Sequence, residues 1–210
     1  MTDNRKPRRI GVLGGTFDPV HNGHLHIARE LRNALDLDAV VWVPAGRPPH
    51  KAGQIVSSDD ARLAMLQLAL ADTPTDAIST IDLDRAGPSY TADMLEILEE
   101  HLAPATLVFL MGEDSLRDLP NWHDPARILR TAELAVAGRP GIDADLAALA
   151  AQIPGFAGRV HIVPTVEVPY SSSAIRERVR KGEPIAGLVP EAVERYIADH
   201  GLYLGNWVSG

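Results

Sequence analysis

Short apolar runs separated by amphipathic stretches set the rhythm of this chain. RIGVLG (residues 9–14), AVVWVPA (39–45), AISTIDL (77–83), ATLVFLMG (105–112), AELAVAG (132–138) and RVHIVP (159–164) read as strands, most of them apolar on both faces. The stretches between them carry a helical period, and in residues 58–71 Leu63, Leu66 and Leu70 fall on one face. Strand, helix and strand in repetition predict a Rossmann-like α/β fold, a doubly wound parallel sheet with helices on both faces. Ligands of such sheets bind beyond the carboxyl ends of the strands, where strand order reverses.

Beyond residue 170 the pattern changes. SSSAIRERVRKGEP reads as a serine-capped helix stopped by Gly182 and Pro184. LVPEAVERYIADHG reads as a second, started at Pro190, ended at Gly201 and burying Val193, Tyr196 and Ile197. Residues 171–204 are thus a C-terminal helical part of one domain spanning 1–210, with residues 1–7 as a frayed terminus. No repeat or linker interrupts it, and the Pro- and Gly-rich PAGRPPHKAGQ after the second strand is an irregular loop.

Composition narrows the classes of function. With 20 Lys and Arg against 28 Asp and Glu, the formal charge of −8 argues against a nucleic-acid partner, so an anionic ligand needs a local cluster of donors. The absence of cysteine removes a disulfide framework and any thiolate metal site. The basic start NRKPRR precedes only a short apolar run, which reads as neither secretion signal nor membrane span, and a cytoplasmic location is expected.

The chemistry concentrates in GGTFDPVHNGHL, residues 14–25. Gly14 and Gly15 at a strand end allow a tight turn and close approach of a ligand, and the free amides at the next helix start suit an anion. Gly11, Gly14 and Gly15 do not fit the dinucleotide pattern G-x-G-x-x-G, and there is no Walker-type G-x-x-x-x-G-K. His21 and His24, three apart, can converge on one ligand. A metal site of His21, His24 and His26 is the rival reading, but His26 lies about 200° round a helix from His24. No metal ligand is assigned.

GGTFDPVHNGHL resembles the signature of the nucleotidyltransferase superfamily, whose H-x-G-H element follows the first strand. The resemblance continues through VPAGRPPHK (43–51), GPSYTADML (87–95), GEDSLRDLPNW (112–122), GRPG (138–141) and SSSAIRERVRKG (171–182). In that order these resemble the bacterial nicotinate-nucleotide adenylyltransferase family. The resemblance implies in-line attack of the nicotinate mononucleotide phosphate on the α-phosphorus of ATP, giving nicotinate adenine dinucleotide and pyrophosphate. The attacking phosphate has a second pKa of about 6 and is already largely ionised, so alignment and charge stabilisation are what the protein must supply.

The same resemblance assigns residues. His24, His21 and Arg176 would act in catalysis. ATP would be held by Gly14, Gly15, Thr16, His21, His24, Lys51, Gly112, Asp114, Ser172, Ser173 and Arg176. Thr91, Trp122, His123 and Arg139 would hold the mononucleotide, Thr91 and nearby amides receiving the pyridine carboxylate while an aromatic ring stacks. Mg²⁺ would arrive with ATP, held mostly by phosphates and water. Where the family carries Ile and Thr, this chain has Tyr170 and Ser173. Read alone, the serines are also an ordinary helix cap and Trp122 an ordinary packing residue. Rival functions are another nucleotidyltransferase with a nicotinamide mononucleotide or pantetheine-phosphate acceptor, or a non-catalytic nucleotide-binding regulator. A homo-oligomer is compatible with the sequence.

Overall fold

The computed structural model describes residues 7–47, 57–138, 144–166 and 170–205. Strands β1 (Arg9–Gly15), β2 (Ala39–Pro44), β3 (Ala77–Ile78), β4 (Thr106–Gly112), β5 (Ala132–Gly138) and β6 (Val160–Pro164) form one sheet. Its order is β3-β2-β1-β4-β5-β6. The β1–β4, β4–β5 and β5–β6 pairs are parallel, with Arg9 opposite Thr106, Leu107 opposite Ala132 and Leu134 opposite Val160. This is the Rossmann-like parallel arrangement expected from the alternating pattern. Every residue of β2 is buried, as are the five central residues of β4, which accounts for runs without polar alternation.

One expected strand is much shorter than its apolar run. AISTIDL contributes only Ala77–Ile78, and Ile81–Asp84 forms a helical turn, α3 after α1 (Asn22–Ala34) and α2 (Asp59–Ala69). The amides of Leu83 and Asp84 donate to the Thr80 carbonyl, and the Thr80 hydroxyl donates to the Asp84 carboxylate at 2.7 Å. These local bonds give the backbone an alternative to the ladder. In α2 the buried face is Ala61, Arg62, Met65 and Leu66, with Leu63 only half-buried. Leu66 and Leu70 of the expected leucine stripe are buried, and the buried face also takes in an arginine.

The remaining helices are α4 (Thr91–Leu102), α5 (Glu113–Asp118), α6 (Pro125–Thr131), α7 (Leu146–Gln152), α8 (Ser172–Arg180) and α9 (Glu191–Asp199). Side chains cap several of them: Ser58, Asp124, Asp145 and Ser171 accept from the amides of Ala61, Arg127, Ala148 and Ala174. Each such cap satisfies a donor that the helix itself leaves open.

The chain gathers into two compact units. One comprises Met1–Leu13, Ile27–Val41 and Tyr90–Glu167, the other Gly14–His26, Trp42–Ser89 and Val168–Gly210. In the first, Val108, Leu110, Leu134, Val136, Leu95 and Ile128 are buried, and Arg127 braces α6 by donating to Glu96 and Asp93 of α4. In the second, Phe17, Val20, Trp42, Met65, Leu66, Ile175, Val193 and Ile197 form the core.

Candidate active site

In the second unit, β1 ends at Gly15 and the chain turns through Thr16–Val20 into α1. Phe17 sits in this turn with a positive φ of 50° and a fully buried ring. That ring lies edge-on to His24, centroids 5.1 Å apart, and also meets Trp42 at 5.6 Å. A Cβ on Gly15 would stand 2.9 Å from the Phe17 ring, so only glycine lets the ring fold back beneath the strand end.

His21 immediately precedes α1 and His24 lies in its first turn. Their rings stack at 3.6 Å with planes 22° apart. The His21 amide donates to Nδ1 of His24 at 3.2 Å, and the His24 amide, which donates to the His21 carbonyl at 2.9 Å, also reaches Nδ1 of His21 at 3.3 Å. An Nδ1 that accepts carries no proton, so the ring N–H lies on Nε2. Burial lowers the His21 pKa to about 4, so at neutral pH this ring is uncharged and stacks without repulsion. The glycine of H-x-G-H has a steric reason here: a Cβ on Gly23 would lie 3.0 Å from Nδ1 of His21.

Residues of α8 and the chain beyond it hold the turn. Arg176 Nη1 donates to the Asp18 carbonyl at 2.7 Å, and Ser172 Oγ donates to the Pro19 carbonyl at 2.9 Å. Ser171 caps α8, and Ser173 Oγ lies 3.5 Å from Arg176 Nη2. The buried Asp18 carboxylate accepts from the Tyr203 hydroxyl at 2.7 Å and from the Ser57 amide at 3.3 Å. Burial and the Asp18 charge raise the Tyr203 pKa, which keeps its hydroxyl a donor. Asn22 is tied by its amide to Leu188 and by its side chain to Gly187. Thr16, His21, His24, Ser172, Ser173 and Arg176 thus belong to one cluster in which the turn, a helix start and two imidazole edges come together.

Sequence reasoning missed three members of this cluster. Asp18 and Tyr203 meet across 185 positions, beyond the reach of any local pattern. Arg62 did carry a signal, a charged residue on the apolar face of α2. Its side chain is fully buried, and its Nη1 donates to the Thr16 carbonyl at 2.7 Å.

In the first unit, Thr91 opens α4. Tyr90 just before it stacks on His123 at 4.1 Å, which brings the start of α4 to the 122–123 corner. Trp122 is half-buried, edge-on to Phe109 at 6.1 Å, and its indole N–H donates to Asp118 at 3.3 Å. Tyr90 was not singled out from the sequence. Gly112 ends β4, and Asp114 in the first turn of α5 is exposed and pairs with Arg117 at 3.1 Å. Lys51 and Arg139 lie outside the described residues.

The strand order reverses between β1 and β4, whose last residues are Gly15 and Gly112, as expected of a nucleotide-binding α/β sheet. The cytidylyltransferase-like family profile matches residues 12–178. A probable nicotinate-nucleotide adenylyltransferase of Thermomicrobium roseum is 51% identical over 195 residues, covering 93% of this chain and 91% of the relative. One from a Roseiflexus species is 45% identical over 92% of this chain and 97% of its own length. In fold, the chain is similar to the Plasmodium falciparum nicotinic acid mononucleotide adenylyltransferase complexed with NaAD, with a TM-score of 0.76 at 18% identity over 96% of this chain and 100% of that one. The chain belongs to the cytidylyltransferase-like nucleotidyltransferases, and within them to the nicotinate-nucleotide adenylyltransferase family.

Proposed function

We propose that this enzyme transfers the adenylyl group of ATP to nicotinate mononucleotide, forming nicotinate adenine dinucleotide and releasing pyrophosphate. The acceptor phosphate attacks the α-phosphorus in line, the new P–O bond forming as the bond to the pyrophosphate oxygen breaks. The observation that carries this reading is the bonding of His21 and His24 through their Nδ1 atoms, which puts the ring N–H of each stacked imidazole on Nε2. Such donors stabilise charge on phosphate oxygens without taking a proton, and an ionised phosphate nucleophile needs no base. His24 donates to the transferring group and His21 beside it. Arg176, Thr16, Ser172 and Ser173 serve the remaining phosphates, with Gly14 and Gly15 allowing close approach and Lys51 adding charge.

Gly112 and Asp114 are assigned to the nucleoside of ATP, the carboxylate accepting from ribose hydroxyls. Thr91 and nearby amides donate to the pyridine carboxylate, and the aromatic corner of Trp122 and His123 packs on the ring, with Arg139 on the mononucleotide phosphate. A carboxylate accepts only, so a pocket made of donors favours the acid over the nicotinamide analogue, whose amide also needs an acceptor. Asp18, the carboxylate within the histidine cluster, is committed to Tyr203 and Ser57, so Mg²⁺ enters as the metal of the ATP complex and is held by phosphates and water. No described helix is long and apolar enough to cross a membrane, and we assign the enzyme to the cytoplasm.

The test is pyrophosphate release from Mg-ATP with nicotinate mononucleotide and, in parallel, nicotinamide mononucleotide. Release that strongly favours the acid is expected. Release with neither acceptor, or with pantetheine phosphate alone, would overturn the acceptor assignment.

A further inference from the structure

We propose that Arg62 is a positioning residue for the transfer reaction, holding the His24 ring in place through the Thr16–Phe17 backbone. The inference rests on the reaction proposed above and concerns a residue outside the motif that carries it. Arg62 projects from α2 with a completely buried side chain. Its Nη1 donates to the Thr16 carbonyl at 2.7 Å, its Nη2 pairs with Asp59, and its buried Nε finds no partner among the described residues. The Asp59 side chain is 56% exposed, so this is a guanidinium withdrawn from water against a carboxylate that stays largely in it. Exchanging a whole buried ion pair for apolar side chains is commonly neutral or stabilising, but removing Arg62 alone would leave the Thr16 carbonyl without its donor.

The bond that Arg62 makes is specific in what it fixes. Arg62 holds the carbonyl before Phe17, and Arg176 holds the carbonyl after it, on Asp18. Between these two arginines Phe17 is kept at φ 50°, a left-handed conformation that a bulky residue adopts only when its surroundings impose it. That conformation directs the Phe17 ring against the edge of His24 at 5.1 Å. Because a trans peptide sets N–H opposite C=O, the pinned Thr16 carbonyl also turns the Phe17 N–H away from Arg62. Release of the Thr16 carbonyl lets Phe17 relax toward an ordinary φ, and the His24 imidazole then loses the wall that keeps it in its bond with the His21 amide.

The experiment is a double-mutant cycle between Arg62→Met and His24→Ala, with kcat, the KM for each substrate, the unfolding midpoint and the imidazole ¹⁵N spectrum measured for each protein. Arg62→Met is expected to lower kcat about 10- to 100-fold in the parent, to leave the nicotinate mononucleotide KM within about two-fold, and to lower the unfolding midpoint because the Thr16 carbonyl loses its donor. In the His24→Ala background the same substitution should change kcat less than about two-fold, because the group it positions is gone. The His24 ring, held as its Nε2–H tautomer in the parent, should show a tautomer mixture in Arg62→Met. Arg62→Lys, which keeps the charge and one donor for Thr16, should lose less than Arg62→Met and covers the case in which Met does not fold. Equal losses in both backgrounds, or an unaltered His24 spectrum, would overturn the proposal. If the parent releases no pyrophosphate with the nicotinate acceptor, the reaction assignment fails, and the ¹⁵N arm still decides whether Arg62 sets the His24 ring.

Discussion

His24 and His21 share one geometry and differ in environment, and the difference separates their effects. His24 is the ring assigned to the transferring group, and loss of one such donor typically costs about 10²–10³ in turnover, or about 3–4 kcal/mol. His24→Ala should lose that much kcat with a smaller change in the ATP KM, and wild-type turnover would sink the assignment. His21 acts additionally on stability. Its folded pKa of about 4 lies below the unfolded 6.5, so the folded protein binds fewer protons than the unfolded chain between those values. Stability from this group is complete above pH 6.5 and is lost as pH falls toward 4, by about 3 kcal/mol in all. Urea titrations from pH 7 to pH 4 should show this decline, and His21→Asn should make it shallower. An identical pH slope in the two proteins would show that His21 is not the group responsible.

The elements that can be read from the sequence are those whose evidence is local. The strands at 9–15, 39–44, 106–112, 132–138 and 160–164 lie where the apolar runs placed them; burial on both faces gives β2, β4 and β5 a composition that few other elements share, whereas β6 at the sheet edge is only half-buried. The pairing of His21 with His24 was legible too, since a spacing of three brings side chains to one side of a turn. The truncation of β3 was not, because the hydroxyl of Thr80 and the carboxylate of Asp84 decide it. Tyr90 against His123, and Arg62 beneath Thr16, depend on partners more than 30 positions away and leave only a faint trace in a single sequence. The start of α8 is a local feature with a measurable cost. Ser171 accepts from the Ala174 amide at 3.1 Å, so Ser171→Ala should destabilise by about 1 kcal/mol, read as a lower urea midpoint with an unchanged slope. A midpoint equal to the parent's would mean that water replaces the cap without cost.

Across the second unit, the turn after β1 is fastened chiefly by side chains from the far end of the chain. Asp18 and Pro19 are held by Arg176, Ser172 and Tyr203, so the C-terminal helical part fixes the conformation of the turn that carries the first histidine. The Tyr203 bond is the informative one, because it ends on a buried carboxylate and its removal leaves the ring in place. A hydrogen bond to a charged group contributes about 1.5–3 kcal/mol, and a donor withdrawn from a buried acceptor forfeits most of that. Tyr203→Phe should therefore lower stability by about 2 kcal/mol and the melting temperature by roughly 4–8 °C for a chain of this length. Because Asp18 follows Phe17, the same substitution should raise the ATP KM while kcat at saturating ATP falls less. If the hydroxyl served only the packing of the chain end, stability would drop with the ATP KM unchanged. A Tyr203→Phe protein as stable as its parent would mean that Asp18 is held adequately without it.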